Sequence, residues 1–265
     1  AGTCGNFLSL QTCVCQPRAI DGARTSFGDR DVTFTSEDRK RLTRGWLREM
    51  DPRVAQTLVE AARRRSLEKG EPLFSPGDPV GGIFAVIRGG MLLSAPSRDG
   101  LVRPGHISRA GHWFGFLPAV TGNARAVAAE ATEPTVLAHV PTAAVERLWT
   151  SDPDAKRVLA RLTDLSMQVL YRVVTDLLIR ETDRRIGSVL LRVTGADDGI
   201  AADDARGVSL THALLAELSN ASRESVGRAI AHFTERGWIT ARYGRVSVLD
   251  PDGLARFVEG AKEPG

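Results

Sequence analysis

The hydrophobic and polar positions divide the chain into regions of different period. Residues 1–35 show no sustained period and carry scattered glycines, so we expect a tail there. Helical spacing then begins with Ser36 as the expected N-cap, and its apolar positions are Leu42, Trp46, Leu47 and Met50. A second helix is predicted from Asp51 to Arg65, where apolar residues again share one face.

From Pro72 to Val140 the pattern changes to short apolar runs separated by glycine-rich turn signals. Asp99-Gly100 is one of these turns, and Asp-Gly between strand-like runs is typical of a β-hairpin. The pattern predicts a small antiparallel β-barrel or roll. The expected strands are Leu73–Phe74, Ile83–Ile87, Met91–Ser94, His106–Ser108, Trp113–Phe116, Ala126–Ala129 and Val136–Val140.

Helical spacing returns at Thr142–Trp149 and continues in a long helix from Asp154 to Arg180. Two apolar stripes run along the long helix. One stripe is enough to dock a helix on its own domain, so the second predicts packing against a partner helix and a homodimer. The alternative is a helix buried inside one domain. The stripes are Val158, Leu162, Leu165, Val169, Val173 and Leu177, and Leu159, Leu170, Val174 and Leu178.

The C-terminal part has the pattern of a helix-turn-helix followed by a hairpin. After a helix over Arg184–Val193 and a loop, a short helix is predicted at Thr211–Leu218. A three-residue turn follows, and Ser222 caps a second helix that ends near Glu235. Two strand-like runs then flank Tyr243-Gly244, which predicts a small wing.

This unit is suited to reading DNA. In a helix-turn-helix the N-terminal end of the second helix enters the major groove, where its exposed side chains meet base edges. Arg223, Glu224 and Arg228 occupy that position here. Arginine bonds guanine in a bidentate manner, and glutamate accepts a hydrogen bond from cytosine. Arg242 and Arg245 at the wing are predicted to contact phosphates.

Composition and charge limit the class of protein. The chain has 265 residues, 42% of them hydrophobic, and no apolar run long enough to span a bilayer. With no signal-peptide pattern at its start, we expect a soluble, cytoplasmic protein. The chain shows no P-loop, nucleophile elbow or pair of catalytic carboxylates, and its histidines lack ligand spacing, so neither an enzyme nor a metal site is predicted from these motifs.

Net charge by itself points to the wrong part of the chain. The excess of 35 basic over 32 acidic residues is spread along the sequence. Residues 180–265, which contain the helix-turn-helix, hold 12 basic and 13 acidic residues, a net charge of −1. Within them, residues 222–245 carry five arginines against two glutamates, a net charge of +3. This short stretch is the electrostatic feature that favours nucleic acid.

Four segments of the chain resemble the Crp–Fnr family of bacterial transcription regulators: Leu73–Asp78, Ile83–Gly90, Phe114–Gly115 and Ser222–Arg228. The resemblance covers about residues 50–250. It implies an α+β chain with an antiparallel, cyclic-nucleotide-binding-like β-roll as sensor, a long dimerisation helix and a C-terminal winged helix-turn-helix. The expected division is a tail at 1–35, the roll with flanking helices at 36–150, the dimerisation helix at 151–180 and the DNA-binding domain at 181–265.

The resemblance also assigns roles at the DNA. Ser222–Arg228 is similar to the recognition helix of the cyclic-AMP receptor branch, which reads TGTGA-type half-sites in a palindrome. It implies that Arg223, Glu224 and Arg228 read bases and that Thr211 and Ser222 contact the backbone. It further implies that the protein acts on transcription together with RNA polymerase.

The sensor segment departs from the cyclic-AMP-responsive pattern. In those members a Gly-Glu pair and a later Arg-Ser pair hold the ribose and the cyclic phosphate. Gly115 and Arg125 keep this pattern here, whereas Phe116 and Ala126 replace the glutamate and the serine. A ribose hydroxyl would lose its carboxylate partner, which argues against cyclic AMP as the effector. Arg125 is then left for another anion or for a structural carboxylate.

Two further positions belong to this expected effector pocket. The Thr-Ser pair that contacts the base in the family falls on Leu170 and Tyr171 of the dimerisation helix. The pocket predicted from the resemblance therefore combines residues of the roll with residues of this helix. Its ligand stays unknown at this point.

The cysteines invite comparison with the oxygen-sensing branch of the family, which holds an iron–sulfur cluster on four cysteines. Cys4, Cys13 and Cys15 differ from that branch in spacing, and the chain has no fourth cysteine. An iron–sulfur cluster is therefore not expected. The alternatives are free thiols on a tail or a thiol redox switch.

Together these observations predict a homodimeric, sequence-specific DNA-binding regulator whose DNA affinity is set by an effector or redox signal at the roll. The rival hypothesis is a signal-binding protein whose helix-turn-helix serves protein contacts. Neither a membrane nor a catalytic role is predicted.

Overall fold

The structure, a computed structural model, describes residues 34–42, 47, 50–196 and 207–260. Cys4, Cys13 and Cys15 lie outside the described residues, as do the predicted tail up to residue 33 and Trp46. No helix in the described part of the chain is both long and apolar enough to cross a bilayer. The same residues contain no cluster of three or more histidine, cysteine or acidic side chains suited to a metal.

In the described residues before the roll the chain forms two short α-helices, α1 (Ser36–Leu42) and α2 (Pro52–Ala61). Thr35, not Ser36, caps α1, because its Oγ1 accepts from the backbone N–H of Asp38 (3.1 Å) while the Asp38 carboxylate accepts from the N–H of Thr35 (3.2 Å). The predicted extension of α2 to Arg65 is wrong. The chain leaves the helix at Ala62 and pairs as a strand instead.

The roll consists of two antiparallel four-stranded sheets. One has the strand order β1-β8-β3-β6 and the other β2-β7-β4-β5. Apolar side chains of the two sheets bury against each other. The other side of the first sheet packs against α1, α2 and the start of the long helix. The strands are β1 (Arg63–Leu67), β2 (Pro72–Phe74), β3 (Ile83–Arg88), β4 (Gly90–Pro96), β5 (Val102–Arg109), β6 (Trp113–Phe114), β7 (Ala128–Ala131) and β8 (Thr135–Val140).

One predicted strand of the roll is broken. The run Trp113–Phe116 stops after Phe114, and Gly115 takes a left-handed conformation (φ 81°) that starts a short helix, α3 (Phe116–Thr121). Apolar alternation does not distinguish a strand from the first residue of such a helix. The turn depends on the glycine, which adopts positive φ without steric cost.

Two helices connect the roll to the C-terminal region, α4 (Thr142–Ser151) and the long α5 (Pro153–Leu178). Asp152 caps α5 by accepting from the N–H groups of Asp154 and Ala155. The N-terminal part of α5 is buried in the core beneath the roll, whereas its C-terminal part exposes an apolar face. That face consists of Met167, Leu170, Tyr171, Val174, Leu177 and Leu178.

The C-terminal region has its own core, which contains Phe233, Trp238 and Leu254. Its elements are α6 (Thr182–Thr194), β9 (Val208–Ser209), α7 (His212–Leu218), α8 (Arg223–Glu235), β10 (Ile239–Arg242), β11 (Arg245–Val248) and α9 (Pro251–Glu259). The three strands form one sheet in the order β10-β11-β9. Ile107 of the roll is fully buried in this same core, so the roll packs directly against the C-terminal region.

Candidate DNA-binding surface and sensor cleft

The helix-turn-helix is held by two hydroxyl caps. Thr211 Oγ1 accepts from the N–H of Leu214 at the start of α7 (3.1 Å), and Ser222 Oγ accepts from the N–H of Ser225 at the start of α8 (3.1 Å). Asn220 adopts a left-handed conformation in the turn between the helices (φ 47°). Both cap residues are exposed, as a backbone contact to DNA requires.

Arg223, Glu224 and Arg228 lie exposed on the first two turns of α8, where the sequence predicts base contacts. Arg228 Nη1 donates to Glu224 Oε1 (2.5 Å), although both side chains remain mostly solvent-accessible, at 63% and 82%. Such an exposed pair contributes little to folding. It holds one donor and one acceptor group side by side on the helix surface.

Of the two wing arginines that are predicted to contact phosphates, only Arg242 is exposed. Tyr243 and Gly244 both have positive φ, which is the geometry of a tight two-residue hairpin turn. Arg242 is exposed beside this turn, and Tyr243 is fully exposed at the tip, a feature that the sequence analysis did not single out. Arg245 is directed inward and donates to the Glu133 carboxylate and the Gly207 carbonyl. The predicted role of Arg245 at phosphates does not agree with this orientation.

In the roll, Arg125 is almost fully buried, with 3% of its surface exposed. Its Nη1 donates to the Gly115 carbonyl (2.9 Å) and its Nη2 to the Gly82 carbonyl (2.7 Å). The guanidinium carbon also lies 4.3 Å from the centre of the Phe74 ring, a cation–π distance. Burial lowers the pKa of Arg125. The group that holds a cyclic phosphate in the family is here bonded to the protein itself.

The residues that follow Gly115 and Arg125, Phe116 and Ala126, do not supply the polar groups of a nucleotide site. Phe116 is buried in the core beneath the roll, where its ring lies 6.4 Å from that of Trp149, and it offers no acceptor for a ribose hydroxyl. Its place in an effector pocket stays a prediction. Ala126 is exposed and offers no hydroxyl. A side chain at Gly115 would meet Arg125 Nη1 at 2.7 Å, so the glycine serves the buried arginine.

Leu170 and Tyr171 do not enclose a ligand within one chain either. They are 51% and 62% exposed on the apolar face of α5. The residues present in the roll therefore do not fit a cyclic nucleotide. The ribose lacks an acceptor, and the arginine that would pair with the phosphate already donates to two carbonyls.

A buried polar network that the sequence analysis missed joins the roll to the C-terminal region. Arg192 of α6 is 2% exposed, and its Nε donates to the Asp176 carboxylate of α5 (2.6 Å). Its Nη1 faces the Gly105 carbonyl (3.2 Å) and His106 Nδ1 (3.1 Å), both on β5. Ser188 donates to the other oxygen of Asp176 (2.6 Å). Desolvation lowers the pKa of Arg192.

One sequence signal points to this network. Arg192 follows the apolar run Val189–Leu191 in α6, and the residues before and after it are buried. An arginine on a buried face needs a partner that compensates its charge. The identity of that partner depends on how α5, α6 and β5 meet in space, which a single sequence does not reveal.

Comparison with known proteins gives two family models that match separate parts of the chain. A cyclic nucleotide-binding domain matches residues 64–152, and a Crp-like helix-turn-helix domain matches residues 184–257. The first covers the roll and α4, and the second covers the region from α6 to α9. The order of the two matched domains along the chain is therefore the order of the roll and the C-terminal region in the structure.

Several characterised regulators are similar over most of their length. The chain is 25% identical over 219 residues to the CRP-like cAMP-activated global transcriptional regulator of Mycobacterium tuberculosis, which covers 78% of this chain and 93% of that protein. It is 28% identical over 218 residues to the transcriptional activator protein anr of Pseudomonas aeruginosa, with 76% and 82% covered. A solved CRP/FNR-family regulator from Thermus thermophilus has the same fold, with a TM-score of 0.55, 24% identity, and 74% and 98% covered.

Proposed function

Because the chain belongs to the Crp–Fnr family of transcription regulators, we propose that it binds a palindromic DNA site as a homodimer and reads TGTGA-like half-sites. The observation that carries the proposal is the exposed trio Arg223, Glu224 and Arg228 at the start of α8. These are the side chains that meet base edges when a recognition helix enters the major groove. Thr211, Ser222 and Arg242 lie exposed nearby and contact the DNA backbone in this proposal.

The apolar face of α5 supports the dimer. Leu170, Tyr171 and Leu178 are 51%, 62% and 73% exposed on a helix whose N-terminal part is buried in its own domain. Large apolar residues that share one face of a long helix are stabilised by burial against a second helix. A second copy of α5 buries this face and places two recognition helices at half-sites one DNA turn apart, roughly 34–36 Å. Residues 151–180 are the dimerisation segment, between a sensor at 36–150 and a DNA-binding domain at 181–265.

We propose that a signal at the roll reaches the DNA-binding domain through the contact between them. Arg192 bonds the roll at Gly105 and His106 while it holds Asp176 of α5. Arg245 and Glu133 form a second tie. A ligand that prefers one arrangement of the two domains shifts the population between arrangements. The buried Arg125 argues that this ligand is not cyclic AMP bound as in the cyclic-AMP-responsive members. In this role the protein acts with RNA polymerase.

Selection from a random duplex pool by the purified full-length chain tests the proposed DNA site. We expect an enriched palindrome, a symmetric footprint, and specific binding that survives random competitor DNA at two salt concentrations. Binding that is only salt-sensitive and sequence-blind contradicts the proposal and favours a protein-binding role for the helix-turn-helix. The double variant R223A/R228A should lose the selected site. The control R98A, which removes an exposed arginine from the β4–β5 loop, should retain it.

Two further measurements test the dimer and the signal. Sedimentation should show that the wild-type chain is a dimer. The variant L170E/L178E should be a monomer, because in a dimer each new carboxylate would be buried in the apolar interface. Titration with cyclic AMP should leave the affinity for the selected site unchanged. An affinity that rises with cyclic AMP contradicts the assignment of Arg125, and an affinity that changes only with thiol oxidation assigns the signal to the cysteines.

A further inference from the structure

Gly227 lies in the interior of α8, among the side chains proposed to read DNA. It is four residues after Arg223, three after Glu224 and directly before Arg228. Residues three or four apart are neighbours on a helix surface, so Gly227 lies next to both Arg223 and Glu224. Gly227 itself is half-buried, at the edge of the face of α8 that carries these exposed side chains.

Nothing in the fold of the described chain requires a glycine there. A Cβ built on Gly227 has no heavy atom within 4 Å, and Gly227 does not have positive φ. Glycine is the least favourable residue in a helix interior apart from proline, because the unfolded chain has more conformations to lose. The position thus lowers the stability of α8 without any compensating contact in the protein.

Gly187 of α6 shows what a glycine required by packing looks like. A Cβ there would meet Val258 Cγ2 at 2.9 Å and Leu254 Cδ1 at 3.3 Å, because α9 packs closely against α6. Both glycines are in helix interiors, so they share the same cost in helix propensity. Of the two, only Gly187 packs against another element of the chain so closely that a side chain would not fit.

We propose that Gly227 is a positioning residue that lets the backbone of α8 approach the base pairs closely. This inference rests on the proposed DNA-binding function and extends it to a residue that makes no side-chain contact. The missing side chain leaves a depression between Arg223 and Glu224, and the DNA fills it when the helix enters the major groove. Arg223, Glu224 and Arg228 then reach base edges at hydrogen-bonding distance. A side chain at 227 holds the helix away from the DNA and lengthens these contacts.

The inference predicts opposite effects on stability and on DNA binding. In the full-length chain, G227A should raise the melting temperature by roughly 2–4 °C, because alanine is the best helix former and meets no neighbour. It should weaken binding to the selected palindrome about tenfold, in the range of one lost base contact. G227Q, also a good helix former, should weaken binding further because its side chain is longer. Affinity for a random duplex should change less, since phosphate contacts tolerate a small displacement.

G187A is the matched control. It should lower the melting temperature because of the close contact with α9, while the folded fraction binds the selected palindrome as wild type does. A G227A variant that is stabilised and binds the palindrome with wild-type affinity overturns the inference and leaves the proposed function intact. A G227A variant that is destabilised also overturns it, because the glycine would then serve the fold. If the wild-type chain selects no sequence at all, the proposed function fails, and the inference fails with it.

Discussion

In the DNA-binding domain, Arg223 stands exposed on the first turn of α8, whereas in the roll Arg125 is 3% exposed and donates to the carbonyls of Gly82 and Gly115. Both arginines match the family pattern in sequence. The difference lies in what each side chain contacts: the first faces solvent, and the second is bound by its own chain. An arginine that matches a binding motif keeps that role only where the fold leaves its donors accessible.

The largest effect is expected at a third arginine, which joins the two regions. R192M removes a buried cation and leaves the buried carboxylate of Asp176 with the Ser188 hydroxyl but without a compensating positive charge. We expect a loss of about 3–5 kcal/mol in the free energy of unfolding, measured by urea denaturation. The double variant D176L/R192M should recover much of this loss, because no charge is then buried. R157M, at an exposed arginine of α5, is the control and should change stability by less than about 0.5 kcal/mol.

The second prediction tests the role of Arg125 in the fold. R125M keeps an unbranched side chain but removes the guanidinium over Phe74 and leaves the Gly82 and Gly115 carbonyls without their donor. We expect a loss of about 2–3 kcal/mol in stability, while the folded protein retains its affinity for the selected DNA. R125K should lose less, since one amine still reaches a carbonyl. An R125M variant with unchanged stability and altered DNA affinity would make Arg125 a ligand-binding residue and remove the contrast with Arg223.

These two regions also differ in how much of them the sequence predicts. The bounds of α8, its cap Ser222 and its exposed trio follow from residues within one short segment. The orientation of Arg125 depends on Gly82, which lies 43 positions away. A hydrogen bond between such distant positions leaves no periodic signal. Helix-turn-helix chemistry is local, whereas the interior of a roll is determined by long-range pairing.

The errors in the predicted secondary structure have the same origin. Arg63–Arg65 was expected to be the end of a helix, but it pairs with β8, which lies more than 70 positions later. Phe116 was expected at the end of a strand, but the left-handed Gly115 turns it into the core. In each case a partner distant in sequence, or a single backbone conformation, outweighs local preference. The tie between Arg192 and β5 was missed for the same reason.

The third prediction concerns base reading and is smaller than the first two. R223A should weaken binding to the selected palindrome by about 1–3 kcal/mol and relax the base preference at one position of each half-site. Its stability should equal that of wild type within about 0.5 kcal/mol, because the side chain is exposed. Affinities for single-base variants of the site measure this. Equal weakening on every sequence would make Arg223 a phosphate contact.

The smallest expected effect is a pH dependence at His139, which lies in the roll close to Arg125. Its ring stacks on Phe84, and its Nε2 lies 2.6 Å from the Gly81 carbonyl, to which the neutral ring donates. Burial is the main cause that lowers the pKa of His139, and Arg65, Arg63 and Arg125 lower it further, against the opposing effect of the Gly81 bond. Since the folded pKa lies below the unfolded value, the unfolded chain takes up the proton first. The stability from this residue is therefore complete above about pH 6.5 and falls as the pH drops through the folded pKa.

The variant H139Q isolates this contribution, because glutamine keeps a donor for the Gly81 carbonyl and does not titrate. Melting temperatures of wild type and H139Q between pH 7.5 and 5 should run parallel above about pH 6.5, and below it the wild type should fall more steeply. Carboxylates that titrate at the acid end affect both proteins alike and cancel in the difference. Parallel curves over the whole range would mean that His139 is as accessible to protons in the fold as in the unfolded chain. His139 would then differ from Arg125, whose side chain is buried and hydrogen-bonded within the roll.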